Sequence, residues 1–110
     1  MSFSVLTIPP FDRQLKRLAK KYPSLKSEFA ELLVTLEDNP IQGIALANCC
    51  YKIRFAIHSK GKGKSGGARI ITHLQVVQNV VYLLAIYDKS EQTDITDNEI
   101  NELLELIVDI

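Results

Sequence analysis

The residue types on which metal sites, disulfides and redox chemistry depend are scarce in this chain. Its 110 residues include no tryptophan, two histidines and two cysteines. The cysteines, Cys49 and Cys50, are adjacent, and neighbouring residues of a strand point to opposite faces, so they predict neither a disulfide framework nor a metal site. We interpret both as small strand residues and expect no metal and no cofactor.

Long apolar runs are also missing. No stretch reaches the roughly 18 residues that a membrane-spanning helix requires. The first ten residues, MSFSVLTIPP, lack the basic and long apolar segments of a secretory signal. Hydrophobic residues make up 46% of the chain and charged residues 24%, which are ordinary proportions for a globular protein. We therefore expect one cytoplasmic domain, residues 1–110, without membrane association.

The net charge is zero, but the charges are divided along the chain. Residues 1–89 contain all 13 lysines and arginines and 6 acids, whereas residues 90–110 contain 7 acids and no base. Such asymmetry predicts a basic binding surface and an acidic appendage. The alternative interpretation of the acidic segment is the solvated face of a helix.

Hydrophobic periodicity predicts three helices. Apolar residues recur at helical spacing over residues 11–22, and the other side of this helix is basic. A second helix over residues 24–39 follows after a short join, so the two form a helical hairpin. Thr96 and Glu99 form a capping box before a third helix, whose apolar stripe covers residues 100–108.

Alternating patterns predict strands between these helices. A short strand over residues 4–8 precedes the hairpin, and strands over 51–57 and 69–77 each have one polar face. After a turn at Gln78-Asn79, the run over 80–86 is apolar on both faces, which is typical of a central strand. The order β-α-α-β-β-β-α predicts an α+β fold with the helices packed on a small, mainly antiparallel sheet.

The most unusual segment is KGKGKSGGAR, residues 60–69, which joins two of the strands. Its four glycines and four cations predict a turn with exposed N–H donors and dense positive charge, a combination that favours a phosphate backbone. Lys52 and Arg54 on the preceding strand and Arg69 on the next would converge beside this turn. The alternative is an edge hairpin whose lysines oppose aggregation.

Cations alone can promote the cleavage of RNA, because RNA carries its own nucleophile, the 2′-hydroxyl. A lysine crowded by other cations becomes a better general base, and an arginine can hold a phosphate through two parallel hydrogen bonds. No cluster of carboxylates or histidines is predicted beside the turn, so metal-dependent phosphodiester chemistry is not expected. The residues therefore point to RNA and to catalysis without a metal.

Nearly the whole chain resembles the RelE/ParE superfamily of bacterial toxins from type II toxin–antitoxin modules, and within it the HigB-like branch. The resemblance is carried by the segments CYKIRFAI, KGKSGGARII, VYLLAIYDKSEQ and DITDNEI. It implies a RelE-like fold and a ribosome-dependent endoribonuclease that cuts mRNA, leaves a cyclic phosphate and inhibits translation and growth. It also implies a cognate antitoxin, and is compatible with a homodimer or a toxin–antitoxin hetero-oligomer.

The resemblance also implies roles for individual residues. Lys52 and Arg54 would orient and activate the RNA, Arg69 would hold the scissile phosphate, and Lys89 would flank the leaving group. The resemblance does not supply the general acid, and we expect a lysine of the turn, Lys62 or Lys64, to take that role. The remaining RNA-binding candidates are Lys60, Lys62, Ser65 and Tyr87.

Two departures from the family pattern keep other functions open. Some members have a catalytic tyrosine in the last helix, where this chain has none after Tyr87, and others have an arginine in place of Ser90. One alternative is a ParE-like toxin that binds DNA gyrase and has no nuclease activity. The other is a non-catalytic relative that binds RNA or the ribosome.

Overall fold

The computed structural model describes residues 2–61 and 66–107. Within these residues the chain forms a five-stranded sheet and three α-helices. In chain order the elements are β1 (Ser4–Thr7), α1 (Pro9–Lys21), α2 (Leu25–Asp38), β2 (Ile44–Ala45), β3 (Cys50–Phe55), β4 (Ala68–Gln75), β5 (Val80–Asp88) and α3 (Asp97–Leu104). A short 3-10 helix, His58–Lys60, follows β3.

The helical hairpin is formed as expected. Pro9 and Pro10 occupy the first positions of α1, where the missing N–H groups cost no intrahelical hydrogen bond. Pro23 disfavours helical geometry at Tyr22, where α1 ends. Ser24 occupies the N-cap position of α2, but its hydroxyl does not cap that helix and instead contacts Glu28 and Ser59. Both helices contribute fully buried side chains to the core.

The strands lie in the order β1-β5-β4-β3-β2. The strands β3, β4 and β5 form the expected antiparallel meander, β2 adds an antiparallel edge to β3, and β1 pairs in parallel with β5. The position of β5 between β1 and β4 explains why its sequence is apolar on both faces. The α+β fold with helices packed on a small sheet is thus confirmed, with β2 as an additional element.

The main core lies between the hairpin and the sheet. Fully buried side chains come from α1, α2, β4 and β5: Phe11, Leu18, Leu25, Leu36, Ile70 and Ile86. No helix within the described residues is long and apolar enough to cross a membrane.

Two local predictions about the strands are wrong. Cys49 is not a strand residue: it is exposed, has a φ of +58° and precedes β3, whereas Cys50 begins that strand and is buried. The strand predicted over 69–77 ends at Gln75, because Val76–Asn79 form the turn. Asn79 closes that turn with a φ of +56°, a conformation that asparagine tolerates well.

The predicted polar face of β4 is also wrong. Arg69 is only 5% exposed, and Ile71, on the same face, is fully buried. This face is covered because α3 and the segment before it lie over the neighbouring part of β5, beside Ala85 and Tyr87. The sequence indicated the third helix but not the side of the sheet on which it packs.

Candidate nucleic-acid interface

One row of side chains crosses three strands of the sheet. Arg54 on β3 lies opposite Arg69 on β4, and Arg69 lies opposite Tyr87 on β5. Directly opposed residues of antiparallel strands share a face of the sheet, so the two guanidinium groups and the phenol lie on one face. Lys52 is two residues from Arg54 along β3 and shares that face. The register thus brings four of the candidate residues together.

The members of this row differ in exposure. Arg54 is exposed and makes no ion pair within the described residues. Arg69 is buried, and its Nη1 donates a hydrogen bond to the carbonyl oxygen of Ala68 at 3.1 Å. An incoming phosphate would therefore meet Arg54 first, whereas Arg69 adds positive charge from within the sheet surface.

An acidic side chain missed by the sequence analysis lies at this row. The Oδ1 of Asp94 accepts a hydrogen bond from the backbone N–H of Ile95 at 2.8 Å and from the Nζ of Lys52 at 3.2 Å. The backbone hydrogen bond, followed by the contact with Lys52 and the charge of Lys89, holds the pKa of Asp94 below its usual range. Lys52 therefore already contacts an anionic oxygen, the kind of atom that a phosphate presents.

Tyr87 lies between the cations and the acids. It is 4% exposed, and its buried hydroxyl has no hydrogen-bond partner of normal geometry among residues 2–61 and 66–107. Burial, followed by the negative charge of Asp94, raises the pKa of Tyr87, and the charge of Arg69 opposes this change. The closeness of the hydroxyl to the Asp94 carboxylate, in a geometry short of a regular hydrogen bond, raises the pKa further. The phenol is thus held in its neutral form, which can donate a hydrogen bond.

Lys60, expected as an exposed cation of the turn, is instead held in an ion pair. Its Nζ contacts the Oδ1 of Asp88 and lies 3.2 Å from the Oγ of Ser90. The side chain of Lys60 is 8% exposed and that of Asp88 is fully buried. The first lysine of the KGKGKSGGAR segment thus anchors the segment to the end of β5 in this state. Three other candidates of the segment, Lys62, Lys64 and Ser65, lie outside the described residues.

Lys89 lies at the other end of the same segment. Its backbone N–H donates to the carbonyl oxygen of Gly67 at 3.0 Å. A Cβ atom at Gly67 would lie 2.2 Å from the carbonyl oxygen of Phe55, so only glycine allows this close approach of strands. The backbone of Lys89 is therefore fixed beside Gly67, just before the start of β4.

A second polar cluster, which the sequence analysis did not identify, joins α2 to the 3-10 helix. The Oε2 of Glu28 lies 2.8 Å from the Nδ1 of His58 and accepts a hydrogen bond from the backbone N–H of His58 at 2.9 Å. The hydroxyls of Ser24 and Ser59 are 2.8 Å apart in the same group. These contacts fix the start of the KGKGKSGGAR segment against α2. Within the part of the chain that is described, no group of three or more potential metal ligands is found.

The exposed side of α1 forms another basic surface. Arg17 makes two hydrogen bonds with Glu91, at 3.0 and 3.2 Å, and Lys21 lies 3.7 Å from the same carboxylate. The pKa of Glu91 is lowered mainly by the hydrogen bond with Arg17. Other cations of α1 have no ion pair within the described residues: Arg13, Lys16 and Lys20.

The sequence identified the cations of the site but not the acids that pair with them. Asp88 is 28 residues from Lys60 and Asp94 is 42 residues from Lys52. No local spacing rule connects residues so far apart. The sequence offered one signal: Asp88 ends the strand VYLLAIYD and Asp94 follows it closely, at the same end of the sheet from which Lys89 was chosen.

Comparison with known proteins gives one family. The model of the RelE family, described as the RelE toxin of the RelE / RelB toxin–antitoxin system, matches residues 11–109.

Solved structures of RelE toxins have the same fold. A mutant of E. coli toxin RelE in the free state has a TM-score of 0.60 and 17% identity, with 98% of this chain and 100% of that chain covered. The RelBE2 toxin–antitoxin complex from Mycobacterium tuberculosis has a TM-score of 0.59 and 14% identity, with 80% of this chain and 99% of that chain covered. The isolated E. coli RelE toxin has a TM-score of 0.56 and 15% identity, with 96% of this chain and 100% of that chain covered.

Proposed function

This chain belongs to the RelE toxin family, and we propose that it is a metal-independent endoribonuclease that cuts mRNA on the ribosome and so inhibits translation. The observation that carries the proposal is the cross-strand row of Arg54, Arg69 and Tyr87, with Lys52 on the same face of the sheet. Cations gathered on one face repel one another, an arrangement that a bound polyanion relieves. RNA is such a polyanion and supplies its own nucleophile.

In the proposed reaction the 2′-oxygen of one nucleotide attacks the adjacent phosphorus. The bond from the 2′-oxygen to phosphorus forms as the bond from phosphorus to the 5′-oxygen breaks, which leaves a 2′,3′-cyclic phosphate and a 5′-hydroxyl. Lys52 and Arg54 orient and activate the RNA, with Lys52 in its neutral form accepting the proton of the 2′-hydroxyl as the general base. Arg69 stabilises the charge of the pentavalent phosphorus, and Lys89 flanks the leaving oxygen. Lys64 or Lys62 protonates that oxygen as the general acid.

The partners follow from the same family. The matching family model describes a toxin of a toxin–antitoxin system, so a cognate antitoxin belongs with this chain. We propose that it lays a strand or a helix over the basic face, forming a hetero-oligomer in the cytoplasm, where ribosomes are found. The finer assignment to the HigB-like branch depends on GKSGGAR followed by YLLAIYDKSE and stays a prediction.

The experiment compares mRNA from cells after induction of the wild type and of Arg54→Ala. Arg54 is exposed and unpaired within the described residues, so its loss should change the free energy of unfolding by no more than about 0.5 kcal/mol. Loss of a group that stabilises transition-state charge typically lowers the rate about 100-fold to 1,000-fold. Primer extension should show breaks inside translated codons with the wild type and few or none with Arg54→Ala.

Arg13→Ala is the matched control, because Arg13 is an exposed arginine on α1, away from the row. It should retain the breaks of the wild type. Intact mRNA together with DNA damage after induction would instead identify a gyrase-binding toxin. Arrested growth with intact mRNA and intact DNA would identify a non-catalytic ribosome binder, and either result would overturn the proposal.

A further inference from the structure

A groove with a volume of about 390 Å³ lies between α1 and α2, on the solvent side of the helical hairpin. Its floor is apolar and consists of Leu15 and Ala19 from α1 and Phe29 from α2, all half-buried. The ring of Phe29 packs against the fully buried Phe11, with 5.7 Å between the ring centroids, so the core fixes the floor in place. Apolar surface surrounded by polar residues is typical of a protein interaction site.

Three lysines surround this floor: Lys16 and Lys20 on α1 and Lys26 on α2. All three are exposed, and none of them makes an ion pair within residues 2–61 and 66–107. Lys20 is in the last turn of α1 and Lys26 is in the first turn of α2, so both lie where the two helices join. Asp12 lines the opposite end of the groove, in the first turn of α1. The positive charge is therefore concentrated at the join.

The other cations of α1 show that the chain pairs its charges where an acid is within reach. Arg17 and Lys21 both contact the carboxylate of Glu91. Lys16 and Lys20 are one helical turn apart and repel each other, and in the part of the chain that the structure describes neither has an acid within 4.0 Å. A negatively charged partner would relieve this repulsion. The groove therefore favours an acidic occupant.

The helical walls of the groove indicate the backbone conformation of that occupant. Every lining residue belongs to α1 or α2, so a bound strand would meet no sheet edge with which to form hydrogen bonds. A strand backbone or an RNA phosphate placed on Leu15, Ala19 and Phe29 would lose water without gaining hydrogen bonds. A helix satisfies its own backbone groups and can place an apolar stripe on the floor, as in other helix-in-groove complexes.

The hairpin also sets the size of the helix that fits. With 13 and 14 residues, α1 and α2 are each about 20 Å long, which matches about three to four turns of a partner helix. Apolar residues at helical spacing would face the floor, and acids beside them would face the lysines. The acidic helix α3 of a second copy does not fit this description, because Ile100 of its apolar stripe is buried in its own fold.

We propose that the groove between α1 and α2 is a docking surface for an acidic amphipathic helix of another protein. Leu15, Ala19 and Phe29 receive the apolar stripe of that helix. Lys20 and Lys26 bind its acidic side chains near the join of the hairpin. The surface thus gives a role to the cations of α1 that the chain's own acids leave unpaired within the described residues.

This surface and the cross-strand row lie on opposite sides of the sheet. The hairpin covers the face that carries Ile70 and Ile86, and each of these is the strand neighbour of a residue in the row, Arg69 and Tyr87 respectively. Neighbouring residues of a strand point to opposite faces. The inference therefore goes beyond the proposed function and does not depend on RNA cleavage.

The test measures binding of a synthetic helix to the full chain produced by cell-free synthesis. The probe is a stapled peptide of about 14 residues, with leucines at helical spacing and glutamates on both sides of the leucine stripe. A second peptide has glutamine in place of every glutamate. Fluorescence anisotropy should show at least about fivefold tighter binding of the acidic peptide, the gain expected from one good exposed ion pair. The ¹⁵N amide signals of Ala19 and Phe29 should shift.

Ala19→Gln tests the floor of the groove. Glutamine is a good helix former, so α1 is retained while the larger side chain fills the groove, and binding of the acidic peptide should weaken about tenfold or more. The matched control is Ala30→Gln, since Ala30 is exposed on α2 and does not line the groove. Lys20→Gln should weaken binding about threefold to fivefold, whereas Arg13→Gln, on the same helix but outside the groove, should not.

Four results would overturn the inference. The first is equal affinity for the acidic and the neutral peptide, and the second is an equal effect of Ala19→Gln and Ala30→Gln. Weaker binding of a short single-stranded RNA by Lys20→Gln would assign the groove to nucleic acid. Self-association of the chain in sedimentation velocity, abolished by Ala19→Gln, would assign it to a second copy.

Arg54→Ala separates this inference from the proposed function. Arg54 does not line the groove, so the variant should bind the acidic peptide as the wild type does, whether or not it has lost mRNA cleavage. Intact mRNA after induction of the wild type, together with selective binding of the acidic peptide, would overturn the nuclease and support the docking surface. Breaks in mRNA without selective peptide binding would support the nuclease and overturn the docking surface.

Discussion

Asp88 is the residue at which three parts of the molecule meet. Its carboxylate, at the end of β5, contacts Lys60, accepts a 2.5 Å hydrogen bond from the hydroxyl of Tyr22 at the end of α1, and accepts two from Ser90. Burial alone would raise the pKa of Asp88, but these hydrogen bonds outweigh it and hold the pKa far below its usual range. The carboxylate therefore stays charged in the folded protein.

Asp88→Asn should strongly destabilise the fold. The substitution leaves the ammonium of Lys60, which is 8% exposed, without its countercharge, and breaking such a buried pair costs about 3–5 kcal/mol. Because the folded pKa is lowered, the wild type has the full contribution of Asp88 above the unfolded value of about 3.9 and loses it as the pH falls further. Urea unfolding at pH 7 and at pH 3 measures both effects.

Glu91→Gln serves as the control for that measurement. Glu91 also carries a lowered pKa, but its side chain is 38% exposed and its pairs with Arg17 and Lys21 are exposed ion pairs. Such pairs contribute about 0–1 kcal/mol. If Asp88→Asn is no more destabilising at pH 7 than Glu91→Gln, the cluster around Asp88 does not hold the KGKGKSGGAR segment in place.

At the residue scale, the sequence identified charge but not its environment. The sequence predicts both Lys60 and Arg54 as cations beside a glycine-rich turn. In the structure, Lys60 is largely buried in an ion pair, whereas Arg54 is exposed. Arg69 was expected to be exposed and is 5% exposed. The difference depends on Asp88 and on the covering position of α3, which are fixed by tertiary packing and have no local signature. Exposure therefore could not be predicted residue by residue.

At the scale of elements, the predictions that depend on long periodic patterns are confirmed. The two hairpin helices and the first strands of the meander each extend over six or more residues with a clear period, and the central strand is a continuous apolar run of similar length. The two-residue strand β2 was missed because Ile44–Ala45 is too short to show a period, and the parallel pairing of β1 with β5 was missed because it joins distant segments. Short elements and long-range pairings lie outside what periodicity can indicate.

The N-terminus of α3 is the clearest local signal that the structure confirms. The hydroxyl of Thr96 accepts a hydrogen bond from the backbone N–H of Glu99 at 3.1 Å, and the Glu99 carboxylate accepts one from the backbone N–H of Thr96 at 3.1 Å. Both bonds of a capping box are therefore present. The box fixes the start of a helix of eight residues, which is too short to be stable alone.

Thr96→Ala should lower the free energy of unfolding by about 1 kcal/mol, the usual cost of losing an N-cap side chain. Because α3 covers Tyr87, the same substitution should increase amide hydrogen exchange in α3 more than in β4. Thr93→Ala is the control, since Thr93 is exposed and its side chain makes no hydrogen bond within the described residues. Equal exchange in the two variants would show that the capping box does not hold α3 in place.

At the scale of the whole molecule, the neutral net charge conceals two basic surfaces. One is the sheet face with Arg54 and Lys52, and the other is the exposed side of α1, with Arg13, Lys16 and Lys20. The acidic C-terminal region pairs with part of each: Glu91 contacts α1, and Asp94 contacts Lys52 on the sheet. A polyanion could in principle follow either surface, and binding at different salt concentrations distinguishes them.

The measurement uses a short single-stranded RNA whose 2′-hydroxyls are methylated, so that it binds without being cleaved. Each phosphate neutralised in a single strand contributes about 0.7 to the slope of log K against log salt concentration. If the sheet face is the RNA site, Arg54→Gln should reduce the magnitude of the slope by about 0.7, and Lys16→Gln should leave it unchanged. Fluorescence anisotropy from low to moderate salt gives the slopes. A reduced slope for Lys16→Gln with an unchanged one for Arg54→Gln would place the RNA on α1 and remove the physical basis for catalysis at the cross-strand row.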